Sequence, residues 1–216
     1  MNKTKIEWTD YTWNPITGCL NSCKFCYARK IYHRFKKSFK PEFHYDRLDE
    51  PLKIKNPSKI FVCSVSDFWG KGTKQIWRNK IYNTIMACPE HIFQILTKQP
   101  QNVIDIDRIP ENVWIGQTII NRYDYKEIDG NNLKFISFEP LLNNEIGNYR
   151  FPADWYIIGG LTPKPKHTIQ GVNLILSQAC YFGIPVFMKN NLKPIWKEKL
   201  KQEFPNIVTR NLRCSN

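Results

Sequence analysis

Long apolar runs are missing from this sequence, and acidic residues are scarce in it. Nowhere in its 216 residues do about 18 apolar side chains follow one another, as a membrane-spanning helix requires. The first residues, "MNKTKIEWTDYTWNP", lack the apolar segment of a secretory signal peptide. Both absences argue against export and membrane insertion, so we expect a cytoplasmic protein without a membrane partner.

The scarcity of acidic residues leaves the chain strongly basic. It has 19 Asp and Glu against 32 Lys and Arg, a formal net charge of +13. Such a charge attracts polyanions, which makes nucleic acid the leading partner class, although a solvated basic surface explains the composition equally well. A hydrophobic fraction of 42% and the lack of a linker, repeat or low-complexity tract predict one folded domain over residues 1–216.

Seven cysteines are present, an odd number that does not suit a disulfide scaffold in a reducing cytosol. Three of them, Cys19, Cys23 and Cys26, lie in the stretch "TGCLNSCKFCYARK" at residues 17–30, with the spacing C-x3-C-x2-C. Three thiolates on one loop can bind three irons of a [4Fe-4S] cluster and leave the fourth iron open to a ligand that is not protein. We therefore predict that these cysteines are metal ligands.

A zinc site is the alternative use of these thiols. Structural zinc usually has four protein ligands, so the fourth would have to come from Cys63, His33 or His44. The C-x3-C spacing is also less usual for zinc than C-x2-C. Such a site would make the chain a non-enzymatic, metal-bound module that binds nucleic acid.

Short apolar segments rich in Ile, Val and Phe alternate with helical or polar stretches. Their nearly continuous apolar character is typical of parallel strands buried on both faces, and the alternation predicts an α/β fold with βαβ units. The predicted strands cover about 11–16, 59–67, 91–98, 112–118, 133–140, 154–160 and 184–190, and the predicted helices 24–36, 73–90 and 168–182. The cysteine loop follows the first strand, which places it at the carboxyl ends of the strands, where active sites of α/β barrels form.

The cysteine spacing, with Phe25 directly before the third cysteine, resembles the signature of the radical S-adenosylmethionine (SAM) superfamily. More narrowly, "TWNPITGC", "CYA", "IFVCSVSD", "FQILTK", "VWIGQT", "FISFEPLL", "WYIIGG" and "IPVFMKN", in this order, resemble a phage-associated protein family of unknown function in that superfamily. The similarity covers about Trp13 to Asn190.

The resemblance implies a single-domain, partial parallel (β/α)6 barrel in which SAM chelates the open iron of a [4Fe-4S] cluster. An electron from the reduced cluster cleaves SAM to methionine and a 5′-deoxyadenosyl radical, which abstracts hydrogen from a substrate. It also implies an electron donor such as flavodoxin or ferredoxin. We expect the protein to be a monomer.

The resemblance also suggests which residues bind SAM, with Phe25 beside the cluster. Most superfamily members carry a Gly-Gly-Glu-like turn after the second strand, where this chain has "SVSDFW". By the two-residue period of a strand, Ser64 and Ser66 share one face and Asp67 caps its end, so we expect these side chains to accept hydrogen bonds from the SAM ammonium. The structural alternative is that the two serine hydroxyls form hydrogen bonds only with neighbouring backbone groups.

Later strand ends complete the predicted SAM site. Gln117 or Thr118 would contact the ribose, Glu139 the ribose or the methionine part, and Gly159-Gly160 the adenine, because glycine lets the backbone approach closely. Each of these roles has a structural alternative. Glu139 could form an ion pair with a lysine, and the two glycines could simply form a turn.

The loops after the strands are basic and aromatic, which favours a nucleic acid or nucleotide substrate. Lysines provide phosphate contacts without sequence information, and aromatic faces stack on bases. The predicted substrate residues are Trp69, Lys71, Lys164, Lys166 and Lys189. Two alternatives remain open. The substrate could be a small molecule, and the lysines of these loops could serve only to keep the surface soluble.

Overall fold

The computed structural model describes residues 1–141, 146, 149–161 and 169–206. The described chain forms two compact units. The first comprises Met1–Ile119 and Tyr123–Lys134, and the second comprises Ile120–Arg122 and the described residues from Phe135 onward. The single domain and the six-stranded barrel remain predictions.

The first unit is built on a mostly parallel sheet. Its elements are β1 Asn2–Lys3, β2 Tyr11–Trp13, β3 Ile16–Thr17, α1 Tyr27–Arg34, β4 Glu42–Phe43, β5 Lys59–Val62, α2 Gln75–Met86, β6 Ile92–Thr97 and β7 Val113–Thr118. Strands β2, β5, β6 and β7 pair in parallel in that order, while β1 is antiparallel to β2. Strands β3 and β4 form a separate antiparallel pair. The predicted parallel sheet is therefore confirmed for this unit.

The predicted first strand over 11–16 is split. Strand β2 ends at Trp13 and β3 begins at Ile16, with Pro15 between them. Proline has no backbone N–H to donate to a strand ladder, which explains the break. The helix predicted over 24–36 begins only at Tyr27, because Cys26 caps it, and the helix predicted over 73–90 covers Gln75–Met86.

Burial follows the apolar character of the strands. All six residues of β7 are buried, as expected for a parallel strand covered on both faces. The core of the first unit joins strand residues such as Trp13, Ile60 and Phe93 to Ile81 and Ile85 of α2. This packing fixes the carboxyl ends of β2, β5 and β6.

The second unit contains β8 Lys134–Phe138, β9 Trp155–Ile158, α3 Ile169–Phe182 and β10 Val186–Met188. The first residue of β8, Lys134, belongs to the first unit. Strand β9 pairs in parallel with both β8 and β10. Helix α3 connects β9 to β10, and this is the predicted βαβ arrangement. Its apolar face is buried at Val172, Ile175 and Ala179.

None of the helices within the described ranges is long and apolar enough to cross a membrane.

Candidate functional site

The cysteine loop begins at a glycine whose conformation no other residue would adopt easily. Gly18 has φ +78°, and a Cβ there would lie 2.1 Å from the carbonyl oxygen of Lys40. Its N–H donates to the carbonyl of Val65 at 3.2 Å, and the N–H of Cys19 donates to the carbonyl of Phe39 at 2.8 Å. The entry to the loop is therefore held between two neighbouring backbone segments.

The three thiols of the loop are free and partly exposed. Cys26 caps the N-terminus of α1, where its Sγ accepts the N–H of Arg29 at 3.3 Å, and the Sγ of Cys19 accepts the N–H of Asn21 at 3.3 Å. Burial raises the pKa of Cys19 to about 11, and the nearby charges of Cys23 and Cys26 add to the rise. The backbone N–H of Cys26 also donates to the carbonyl of Cys23 at 3.2 Å.

Cysteine thiolates can bind a zinc ion or the irons of a cluster. Among the residues described by the structure, no three His, Cys, Asp or Glu side chains converge as ligands of one metal ion. Cysteine sulfurs that bind the same zinc ion each lie about 2.3 Å from the metal, so they also lie close to one another. In a cubane, by contrast, each of three thiolates on one loop binds a different iron.

The candidate fourth ligands of a zinc site lie in different surroundings. Cys63 is 3% exposed, and burial raises the pKa of its thiol to about 12. The Nε2 atom of His44 lies 2.8 Å from the Thr17 hydroxyl, and the two form a hydrogen bond. His33 is exposed on α1.

Arg29 is a site residue that the sequence analysis missed. Its guanidinium donates to the carbonyls of Cys19, at 3.0 Å, and of Asn21, at 2.5 Å, and it lies over the ring of Phe39 at 5.0 Å. Arg29 thereby ties the start of the cysteine loop to the first turn of α1. A basic residue three positions after the last cysteine is the only sequence signal for this contact.

Asp67 anchors the same loop from the opposite side. Its side chain is buried, with Oδ1 accepting the Thr97 hydroxyl at 2.6 Å and Oδ2 accepting the Lys98 N–H at 2.9 Å and the Asn21 amide at 3.2 Å. Burial raises the pKa of Asp67, and the bonds from Thr97 and Lys98 offset this only in part. Both oxygens accept hydrogen bonds from the protein, and the SAM contact of Asp67 stays a prediction.

Ser64 and Ser66 do not share a strand face, contrary to the prediction. Strand β5 ends at Val62, and Cys63 turns the chain with φ +58°. The Ser64 hydroxyl donates to Asn14 Oδ1 at 3.1 Å, and the Ser66 hydroxyl donates to the Gly18 carbonyl at 2.5 Å. Each hydroxyl oxygen keeps lone pairs that can accept a further hydrogen bond.

Trp69 lies in the core rather than on an open surface. It is 1% exposed, and its indole N–H donates to Asp105 at 2.9 Å. Since a buried ring has no free face for a base, Trp69 is a packing residue and its predicted role in base stacking is wrong. Phe25 and Lys71 are exposed, whereas Lys164 and Lys166 lie outside the described residues.

Gln117 is engaged by the protein itself. Its amide donates to the carbonyl of Lys126 at 2.9 Å and accepts the N–H of the same residue at 3.0 Å. The side chain therefore fixes the chain after β7, and both of its ends are occupied. Thr118, the other predicted ribose residue, is 6% exposed at the end of the strand.

In the second unit, predicted residues meet at the carboxyl ends of three strands. Glu139 follows β8 and forms an ion pair with Lys189, which follows β10, with Nζ and Oε1 2.5 Å apart. A Cβ on Gly159 would lie 2.9 Å from the Cδ atoms of both side chains. The structure thus shows the ion pair that the sequence analysis gave as the alternative role of Glu139. The same ion pair engages Lys189, which was predicted to contact phosphate.

Gly160 is held by a side-chain amide. Its N–H donates to Asn191 Oδ1 at 2.9 Å, and its carbonyl accepts the Asn191 amide at 2.8 Å. The backbone after β9 is therefore fixed by both of its polar groups.

Gly159→Ala is expected to displace the Glu139–Lys189 pair and to lower the free energy of unfolding by about 1 kcal/mol, the lower end of the cost of overpacking. Urea unfolding should show a smaller loss in the free energy of unfolding when Gly159→Ala is made in a Lys189→Ala background, because one of the two clashing side chains is then truncated. Equal losses in the two backgrounds would show that the clash lies elsewhere.

The fold resembles solved structures of spore photoproduct lyase. A variant of that lyase with bound AdoMet and dinucleoside spore photoproduct aligns with a TM-score of 0.55 at 14% identity, covering 82% of this chain and 62% of the lyase. A second structure, complexed with dinucleoside spore photoproduct, gives 0.53 at 13% identity with the same coverage. At these identities the likeness concerns the fold.

Sequence comparison finds a curated relative and a family. The uncharacterized protein MJ0683 of Methanocaldococcus jannaschii is 29% identical over 164 residues, covering 70% of this chain and 62% of that protein. The chain thus spans less than two thirds of the length of this relative. The family described as "Protein of unknown function (DUF5131)" matches residues 3–203, nearly the whole chain. The chain therefore belongs to the DUF5131 family.

Proposed function

We propose that the protein is a radical SAM enzyme in which Cys19, Cys23 and Cys26 hold a [4Fe-4S] cluster. The observation that carries the proposal is a loop that has three free thiols at positions 19, 23 and 26, is held by backbone hydrogen bonds at its start and leads into α1. It is supported by the shared fold with spore photoproduct lyase, a structure of which contains AdoMet.

The cluster, when bound, supplies the electron that cleaves SAM and so generates the radical that abstracts hydrogen. The protein's own residues position the reactants. Ser64 and Ser66 offer hydroxyl oxygens to the SAM ammonium, while Arg29 and Asp67 hold the cysteine loop. Thr118, Glu139, Gly159 and Gly160 stay proposed contacts of the ribose, the methionine part and the adenine.

We further propose that the substrate is a nucleic acid or a nucleotide, modified or repaired at a base. The net charge of +13 and the exposed Lys71 favour a phosphate-bearing substrate. Two of the similar lyase structures contain a dinucleoside photoproduct, which is consistent with this class. The phage association, the monomeric state and the cytoplasmic location stay predictions.

Reductive cleavage of SAM is the experiment that tests the reaction class. Anaerobically prepared protein with dithionite and SAM should form 5′-deoxyadenosine and methionine. A protein that binds zinc, lacks the brown colour of iron–sulfur proteins and does not bind SAM would instead be the non-enzymatic module.

A salt series separates a nucleic acid substrate from a small molecule. Single-stranded oligonucleotide affinity should fall as salt rises, and replacing Lys164 and Lys166 by glutamate should flatten the logarithmic slope by about 1.4, the value for two lost phosphate contacts. The matched control reverses the charges of Lys3 and Lys5, which are exposed lysines outside the predicted path of the substrate. This variant should keep most of the affinity for the oligonucleotide. Negligible affinity at low salt would favour a small-molecule substrate.

A further inference from the structure

Three aromatic side chains contact one another at the surface of the first unit. The rings of Phe43 and Trp77 are stacked, with centroids 5.6 Å apart, and the rings of Phe43 and Tyr45 meet edge to face, with centroids 4.7 Å apart. Phe43 and Trp77 are partly buried and pack against the core, whereas Tyr45 is 63% exposed. The two inner rings therefore give Tyr45 a fixed support on the protein surface.

Two lysines lie over these rings. The Nζ atom of Lys74, the N-cap of α2, is 5.5 Å from the centroid of Trp77, and the Nζ atom of Lys80 is 5.7 Å from the centroid of Tyr45. A cation over an aromatic ring is held only weakly where water surrounds it. Because each ammonium ends a flexible stem, it can turn to a phosphate and leave the ring face to a base. We call Phe43, Tyr45, Lys74, Trp77 and Lys80 the β4–α2 surface.

The chain around α2 carries positive charge only. Over positions 68–89 the sequence has four Lys and Arg and no Asp or Glu. Arg78 is paired with the buried Asp105. The other three basic residues are Lys71, Lys74 and Lys80, and they give this part of the unit a field that attracts a polyanion.

The β4–α2 surface adjoins the start of the cysteine loop. Phe43 pairs with Ile16 of β3, and the three residues from Ile16 to Cys19 span at most about 11 Å. A Cβ on Gly72, in the turn before α2, would lie 3.0 Å from the Cδ1 atom of Leu20 in the loop. A ligand on the β4–α2 surface would therefore lie beside the loop that carries the proposed metal ligands.

We propose that the β4–α2 surface binds single-stranded nucleic acid, with a base stacked on Tyr45 and phosphates on Lys74 and Lys80. The inference rests on the proposed function, because it locates a substrate of the class proposed there. It gives the stacking role to an exposed ring in place of the buried Trp69. A base in a duplex is already stacked on its neighbours and would first have to be flipped out, so the surface selects a single strand.

Lysines that lie directly over the rings favour nucleic acid over a protein partner. Surfaces for single strands combine positive charge with aromatic faces on which bases stack. Lysine is depleted at protein–protein interfaces. Because Ile76 of α2 is also 56% exposed, a second copy of the chain is the competing occupant in the test.

Fluorescence anisotropy of a labelled single-stranded oligodeoxynucleotide, measured with the cluster-loaded protein under anaerobic conditions, tests the proposal. Tyr45→Ala should weaken binding about tenfold, as expected when one base loses its stacking partner. Tyr45→Phe keeps the ring and should bind within about twofold of the wild type. The matched control, Tyr181→Ala, removes a tyrosine of the second unit that is 83% exposed, and it should bind like the wild type.

A salt series measures the contribution of charge to the same affinity. Replacing Lys74 and Lys80 by glutamine should flatten the logarithmic slope by about 1.4, the value for two lost phosphate contacts on a single strand. Replacing the exposed Lys3 and Lys5 by glutamine is the matched control and should leave the slope unchanged. Asp46→Asn removes an exposed carboxylate next to Tyr45 in the sequence, and it should strengthen binding because the carboxylate repels phosphate.

SAM cleavage with dithionite, measured without nucleic acid, separates this proposal from the proposed function. The wild type and Tyr45→Ala should form 5′-deoxyadenosine at similar rates, because Tyr45 is neither a proposed cluster ligand nor a proposed SAM contact. Absence of cleavage in the wild type would contradict the proposed function, and the oligonucleotide affinities would still test the β4–α2 surface.

Several results would overturn the binding proposal while leaving the dithionite reaction intact. They are an oligonucleotide that does not bind the wild type at low salt, an unchanged affinity in Tyr45→Ala, an equal loss in Tyr181→Ala, an unchanged salt slope in the variant of Lys74 and Lys80, and weaker binding by Asp46→Asn. Self-association of the wild type that Tyr45→Ala abolishes would assign the surface to a second copy of the chain instead.

Discussion

Replacing Cys19, Cys23 and Cys26 together by alanine is expected to give a folded protein without bound iron. The three side chains carry the thiols of the loop, whereas the path of the loop is held by other groups. Its entry is fixed by backbone hydrogen bonds of Gly18 and Cys19, and Arg29 holds two of its carbonyls. The structural cost is mainly the lost cap at Cys26, about 1 kcal/mol.

Iron and sulfide content, measured after anaerobic purification, checks this expectation. The wild type should contain about four irons per chain and the triple variant close to none. The control replaces Cys88, which is buried, and Cys180, which is exposed, and should keep the wild-type iron content. A triple variant with wild-type iron and sulfide would refute the assignment of these ligands.

Asp67→Ala is expected to lower the free energy of unfolding by about 3 kcal/mol and to reduce iron incorporation. The change removes the acceptor of the buried Thr97 hydroxyl, and a buried unsatisfied donor costs about 1–3 kcal/mol. The hydrogen bond from the Lys98 N–H is removed as well. It also removes the bond from Asn21, which lies between Cys19 and Cys23. Loss of this anchor loosens the loop that carries the ligands.

Urea unfolding and iron analysis of the same preparations measure the two effects of the Asp67 change. Asp67→Asn should be milder, because its amide oxygen can still accept the Thr97 hydroxyl. Asp49→Ala, a change at an exposed aspartate, should leave both stability and iron content near wild type. If Asp67→Ala is as stable as the wild type and only its SAM affinity falls, Asp67 contacts SAM, as the sequence suggested, and does not anchor the loop.

The elements of the fold could be predicted because their signal is local. A strand buried on both faces must be apolar almost throughout, and β7 and β9, which are buried along their whole length, show that pattern in the sequence. Helix α3 was predicted to within about one residue by its apolar spacing and the glycine that follows it. Parallel pairing followed from the alternation of strands and helices.

The partners of polar side chains could not be predicted, because they depend on contacts between distant parts of the chain. The turn at Cys63 needs a positive φ at a residue that is not glycine, and the strand pattern through Ser64 and Ser66 gave no sign of it. Gln117 and Asp67 occupy the predicted strand ends, but their hydrogen bonds go to Lys126 and Thr97.

Trp69 illustrates the same limit for aromatic residues. An aromatic side chain next to a basic loop suggests a stacking surface, yet a buried carboxylate, Asp105, accepts its indole N–H and is also paired with Arg78. Asp105 follows Trp69 by 36 positions, so only the folded chain brings them together. Burial of a tryptophan with a satisfied N–H is the commoner outcome for such a large ring.

Mössbauer spectroscopy of protein loaded with ⁵⁷Fe tests the central claim most directly, because it counts iron environments with and without SAM. If three cysteines hold three irons and the fourth is open, about one iron in four should change its parameters when SAM is added. The other three should keep theirs, since their thiolate ligands are unchanged. A spectrum that does not respond to SAM, or a single mononuclear iron, would contradict the account.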